Sequence, residues 1–298
     1  MIYLQHFGLR EPPFGITPDT SFFFAYTSAQ EALNTVLVAV ANGEGFIKII
    51  GEVGTGKTLL CRKLLGTLDD NWVSAYIPNP DLEPRTLLLA LADELGVKIE
   101  QGLDQHHLLK ALNLALLNFA RRKKRVLVCL DEAQAMPVES LETLRLLTNL
   151  ETEKRKLLQV ILFGQPELDA KLAQNSIRQL RQRITFQHNL GMLTPIETEH
   201  YLVHRMAIAG YVGGTVFSKL AVRVLHRASR GVPRLINILA NKSLMLAYGE
   251  GVRRVGWGHA RAAVRDTPAA AGWRQLWTWL VVACVACSSI GWLFIGSR

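Results

Sequence analysis

Gly51-Glu52-Val53-Gly54-Thr55-Gly56-Lys57-Thr58, or GEVGTGKT, is the stretch that decides the fold. In the pattern G-x-x-x-x-G-K-[ST] the glycines let successive backbone N–H groups wrap an anion. The lysine reaches the β- and γ-phosphates, and the final hydroxyl ligates Mg²⁺. The setting agrees with the motif: Phe46, Ile47, Ile49 and Ile50 form a short apolar run before it, and Leu59, Leu60, Leu64 and Leu65 continue at helical spacing after it. Strand, loop and helix in that order predict a bound Mg·ATP or Mg·GTP, with residues 51–59 around the phosphates.

Outward from this loop the chain alternates. Trp72–Ile77 reads as a second strand, followed by helical patterns over Pro84–Leu95 and Gln105–Ala120. Val126–Leu130 is a purely apolar strand, a helix follows over Pro137–Leu150, and further strands are expected at Leu157–Phe163 and Ile184–His188. Strands alternating with helices imply a parallel α/β sheet. After Pro195 only helical periodicity remains, at 195–209, 216–228, 233–248 and 257–265. The expected organisation is an aromatic and proline-rich leader over 1–27 packing on the core, an α/β nucleotide-binding domain over 28–192, a helical domain over 193–266 and a linker over 267–275.

Leu276–Ile295 carries no charged residue. A run of about 20 such residues makes a helix about 30 Å long, enough for a bilayer core, so it is expected to be one transmembrane helix. Trp273, Trp277, Trp279 and Trp292 stand near its ends, and Arg253, Arg254, Arg261, Arg265 and Arg274 precede it against Arg298 after it. The positive-inside rule then puts the long N-terminal part in the cytoplasm of a single-pass inner-membrane protein. Cys284 and Cys287 lie inside the run and Cys61 and Cys129 in the α/β part, which is no secreted disulfide framework. The formal net charge of +9 points to an anionic partner.

The apolar strand VLVCL ends in Asp131 and Glu132. Asp131 is expected to hold Mg²⁺ together with Thr58, and Glu132 to activate the attacking water, which makes hydrolysis more natural than binding alone. Gln165, in FGQPEL, stands where a polar side chain reaches the γ-phosphate and that water. Arg178, Arg181 and Arg183, in SIRQLRQRI, are candidates for an arginine donated to a neighbouring subunit, and Arg234, in GVPRLIN, for a γ-phosphate contact from the helical domain. The basic run 121–125 reads as a helix C-terminus meeting its dipole rather than a nucleic-acid site. His200 and His204 lack the glutamate and third ligand of a metal site.

GEVGTGKT, LVCLDEAQ, FGQPEL, LRQRI and GVPRLIN occur in an order and spacing that resemble the AAA+ ATPases of the ExeA/GspA secretion type, over about residues 1–266. The leader HFGLREPPFGITPDTSFFF and EALNTVLVAV are most similar to the branch that serves mannose-sensitive haemagglutinin (MSHA, type IV) pilus biogenesis. The resemblance implies a P-loop AAA+ core with five parallel strands, a helical lid, and a ring of subunits. It also implies Gln165 as sensor 1, Arg234 as sensor 2, Arg183 or Arg181 as the finger, and Pro13 and Phe14 bordering adenine. Relatives of the secretion type continue into a peptidoglycan-binding region, so direct cell-wall binding is not expected. Three functions follow: an ATPase that assembles or positions a pilus or type II secretion machine, a DNA-bound target selector of the transposition type, and a nucleotide-switched scaffold with little turnover.

Overall fold

A computed structural model describes residues 2–270, except 101, 150, 153 and 154. Its contacts divide the chain into two compact units: Pro18–Gly191, and Met1–Thr17 together with Met192 onward.

The first unit is built on five parallel strands: β1 (Phe46–Gly51), β2 (Trp72–Ile77), β3 (Arg125–Leu130), β4 (Leu158–Gly164) and β5 (Ile184–Leu190). Their order across the sheet is β2-β3-β4-β1-β5, so β4, late in sequence, is inserted between β1 and β3. β1 and β4 are buried along their whole length and β3 from Val126 onward. Strands covered on both faces read as continuous apolar runs rather than alternating ones, which is how they stand in the sequence.

Side chains still alternate between the faces. Phe46, Ile50, Val128, Leu130, Val160 and Leu162 share one core with helices α3 (Pro84–Glu94), α4 (Gln105–Arg121) and α5 (Val138–Leu147). The opposite face meets α1 (Thr27–Ala41) and α2 (Lys57–Leu65). There the buried thiol of Cys61 on α2 hydrogen-bonds Cys129 on β3, and that bond and burial push the Cys61 thiol up. Gln159 points to the same side, its amide donating to the carbonyls of Val40 (3.1 Å) and Glu44 (3.0 Å), which satisfies the end of α1. A buried polar group inside a strand is therefore spent on closing a helix.

The second unit contains α7 (Pro195–Ile208), α8 (Lys219–Ser229), α9 (Pro233–Gly249) and α10 (Trp257–Arg265), with α6 (Glu167–Leu172) belonging to the first unit. α7 opens on a capping box, Thr194 and Glu197 each satisfying the other's backbone N–H, with Pro195 in the first turn. The 1–27 leader divides. Residues 1–17 belong to the helical unit, where the Tyr3 hydroxyl donates to Asn241, the Arg10 amide to the Ala209 carbonyl (2.8 Å), and the Asn237 amide to the Gly15 carbonyl (3.1 Å). Aromatic composition shows that a segment is buried but not which helices bury it, and that is the origin of the difference.

The transmembrane helix expected at 276–295 lies outside the described residues, and no described helix takes its place. Among the described residues no helix is long and apolar enough to cross a membrane. The longest, α4 and α9, have 17 residues each, about 26 Å at the α-helical rise. The membrane-spanning part of the expected architecture, and the single-pass inner-membrane location drawn from it, are corrected accordingly: the described residues form an α/β core and a helical unit.

Candidate active site

Inserting β4 between β1 and β3 puts three strand ends side by side: Gly51 of β1, Gly164 of β4 with Gln165 after it, and Asp131 after β3. Ligands of open parallel sheets bind outside these carboxyl ends. Here they bring together residues far apart in sequence.

The loop after β1 turns on two glycines in the left-handed region, Gly54 (φ 83°) and Gly56 (φ 101°), where a β-carbon would strain the backbone. Thr55 ties the loop to itself, its hydroxyl donating to the Glu52 carbonyl at 2.8 Å. Tyr26 braces it from α1's entry by donating to the carbonyls of Thr55 (3.2 Å) and Gly191 (3.0 Å). α2 then begins at Lys57, its free N–H groups facing the loop. The Lys57 ammonium is buried and donates to the carbonyls of Gly51 (2.7 Å) and Glu52 (3.0 Å). Burial lowers its pKa, opposed by Glu132, Asp131, Glu52 and Glu167 around it.

Thr58, next on α2, donates to the Asp131 carboxylate at 2.5 Å. Asp131 is buried, and burial raises its pKa despite the bonds from Thr58 and the Glu132 amide and the Lys57 charge. Tyr76, at the end of β2, also reaches Asp131 (3.4 Å). Two hard oxygens on neighbouring elements are the donor type that Mg²⁺ takes, so these residues fit the ion that a P-loop nucleotide carries.

Glu132 adopts φ 52°, a left-handed conformation uncommon outside glycine. That turn separates two consecutive acids: Asp131 faces Thr58, and Glu132 faces the end of β4. One Glu132 oxygen, Oε2, accepts from the amides of Gln165 (2.8 Å) and Gln134 (2.5 Å). Burial alone would raise the Glu132 pKa, but these two donors and Lys57 bring it below the ordinary glutamate value. Gln134 also accepts from the Gln165 backbone (3.0 Å), and Lys171 on α6 donates to the carbonyls of Gln134 and Met136.

Gln134 was given no role by the sequence, although it stands two residues after Glu132 in LDEAQ. Nothing in the sequence singles out Tyr26, Tyr76 or Lys171, whose partners are set by the sheet order. We expect Gln134→Ala to lower kcat about tenfold, the usual worth of a hydrogen bond to a charged group. A general base works only when deprotonated, so activity falls as pH drops through its pKa. Losing a donor raises that pKa, and the acidic limb of the rate profile should move to higher pH, as a pH series on both proteins would show.

The other expected site residues are placed less closely. Val53 and Glu52 are exposed on the loop, and Leu59 is half-buried. Arg178 and Arg181 are exposed on a short helical turn, whereas Arg183 is half-buried and donates to the Arg145 carbonyl at 3.5 Å. In the helical unit Arg234 is exposed in the first turn of α9. Phe14 packs edge-on against Phe217, and the Pro13 carbonyl accepts from Arg205.

The AAA domain family matches residues 40–172, which span β1, the phosphate loop, both acids and Gln165. The matched stretch is an AAA domain. The chain is related to "General secretion pathway protein A" of Aeromonas hydrophila, with 39% identity over 303 residues, covering 99% of this chain and 55% of that protein. The chain therefore spans only about half the length of that relative. Among solved structures it is similar to the ORC2 protein of Aeropyrum pernix in its ADPNP-ADP complexes (TM-score 0.61, 20% identity, 84% of this chain and 72% of that one). Cdc6p of Pyrobaculum aerophilum is similar too (TM-score 0.63, 17% identity, 84% and 71%). At these identities the structures speak for the fold alone.

Proposed function

We propose that this chain hydrolyses Mg·ATP to drive the assembly or positioning of a cell-surface apparatus of the type II secretion or type IV pilus kind. What carries the reading is the meeting of the phosphate loop, Asp131 and the Gln165–Glu132 pair at three adjacent strand ends. In it Lys57 and the loop amides bind the β- and γ-phosphates, and Thr58 and Asp131 hold Mg²⁺. When bound, Mg²⁺ would supply positive charge against the phosphates. Glu132 takes the proton of the attacking water, oriented with Gln165.

Further assignments follow the family resemblance: Arg234 senses the γ-phosphate, Arg183 or Arg181 serves a neighbouring subunit of a ring, and Pro13 and Phe14 border the base. The secretion partner is supported by the Aeromonas relative, and the MSHA pilus branch by the leader sequence alone.

Steady-state hydrolysis by the full chain, measured with Mg²⁺, with EDTA and with added duplex DNA, tests the reading. Mg²⁺-dependent turnover indifferent to DNA is expected. Turnover that appears only with DNA would move the assignment to target selection, and tight ATP binding without turnover would leave a scaffold.

A further inference from the structure

The charge of this chain is not spread over it. Residues 18–191 hold twenty Lys and Arg against twenty Asp and Glu, whereas residues 192–270 hold eleven against four. The ATPase core is neutral overall, and the helical unit is strongly basic. Of the four acids in residues 192–270 three are engaged, Glu197 in the α7 cap, Glu250 with His259 (2.8 Å) and Asp266 with Lys242 (2.7 Å), while Glu199 lies half-buried along a cleft.

The cations concentrate on two neighbouring helices. A parallel bridge between Phe217 and Val255 joins the segments that lead into α8 and α10, and the helices pack side by side from there. On α8, Lys219, Arg223 and Arg227 are exposed at i, i+4 and i+8, while Ala221, Val222 and Leu225 face the core. On α10, Trp257, Arg261 and Arg265 repeat that spacing, with the Arg261 guanidinium 4.8 Å from the Trp257 ring centre. None of these five cations pairs with a carboxylate among the described residues. An unpaired cationic face of this size repels itself and gains when an anionic partner covers it.

Three polyanions could cover it, and the surface discriminates among them. A lipid surface would need an apolar helix face to insert, but the apolar face of α8 is turned inward. Single-stranded nucleic acid would need open aromatic platforms, and the only aromatic in the rows, Trp257, already has Arg261 over its ring. A polypeptide uses what remains. Leu220 (55% exposed) and Trp257 (46%) stand among the arginines, and Trp and Arg are the residues that most often anchor protein interfaces. Beside the root of α8 lies an apolar cleft of about 190 Å³, lined by Val203, Ala207, Tyr211, Val216, Phe217 and Val222. An apolar cavity of about 150 Å³ already holds a benzene ring.

We propose that the outer face of α8 and α10, with this cleft, docks an acidic segment of a partner protein that carries a bulky apolar side chain. The carboxylates meet Lys219, Arg223, Arg227 and Arg261, and the apolar side chain enters the cleft. The proposal is independent of which apparatus the ATPase serves, since hydrolysis is assayed without any partner.

The test uses the full chain and fluorescence anisotropy with a labelled helical peptide of glutamate and leucine, an all-glutamate peptide, a duplex DNA, and vesicles of phosphatidylcholine and phosphatidylserine. The mixed peptide should bind most tightly and lose affinity steeply as salt is raised. Arg223→Gln, Arg227→Gln and Arg261→Gln together should weaken it about tenfold, the sum of three modest exposed pairs. Ala207→Trp, which fills the cleft without altering charge, should weaken the mixed peptide and not the all-glutamate one. Arg121→Gln with Arg122→Gln, in the basic run of the core, should change nothing. Tighter binding of DNA or vesicles than of the peptide, salt-insensitive binding, or loss only in the Arg121 and Arg122 variant would overturn the proposal. An unchanged far-ultraviolet circular dichroism spectrum and unfolding temperature certify the fold of these variants, and the salt series on the unaltered chain decides even if they misfold.

Discussion

Lys57→Ala should remove nucleotide binding and lower kcat/KM for ATP by about a thousandfold or more, the range found when a charge that stabilises phosphoryl transfer is deleted. The ammonium sits buried against the carbonyls of Gly51 and Glu52, among four carboxylates that oppose the cost of its burial. On α2 the other basic residues, Arg62 and Lys63, lie in the last turn, away from the loop. Equilibrium binding of a fluorescent ATP analogue would read the loss directly. Binding retained within a few-fold would mean that the loop amides alone hold the phosphates, and Lys57 would have to be demoted to a structural strut.

Glu132→Gln separates binding from turnover. The amide oxygen still accepts from Gln134 and Gln165, so the local network persists, but the group no longer takes a proton at neutral pH. We expect kcat to fall about 10²- to 10⁴-fold, the usual contribution of a general base, with ATP affinity within a few-fold of the unaltered chain. Single-turnover chemistry would locate the defect in the cleavage step. Normal hydrolysis by this variant would show that another group activates the water.

The sheet and its two chemical loops were legible because each is contiguous. GEVGTGKT and VLVCLDE carry their strand, turn and first functional side chains within one short stretch, and burial on both faces writes such strands as unbroken apolar runs. The network around Glu132 was not legible in the same way. It exists because β4 lies between β1 and β3, and strand order is decided by packing between distant segments. Gln134 was visible beside the acids, but nothing in its spacing says that its side chain turns toward the end of β4. Residues 1–17 show the same limit: their aromatics predict burial, and only the fold assigns Tyr3 to Asn241 and Arg10 to Ala209.

That assignment bears on how the protein is made and handled. Since residues 1–17 complete the helical unit, the α/β core is an insertion within it, connected through the chain at two places, Thr17–Pro18 and Gly191–Met192. During synthesis the leader must wait, without its helices, until the entire core has been produced. A tag fused before residue 1, or a cut near residue 17, should then disturb the helices rather than the phosphate loop.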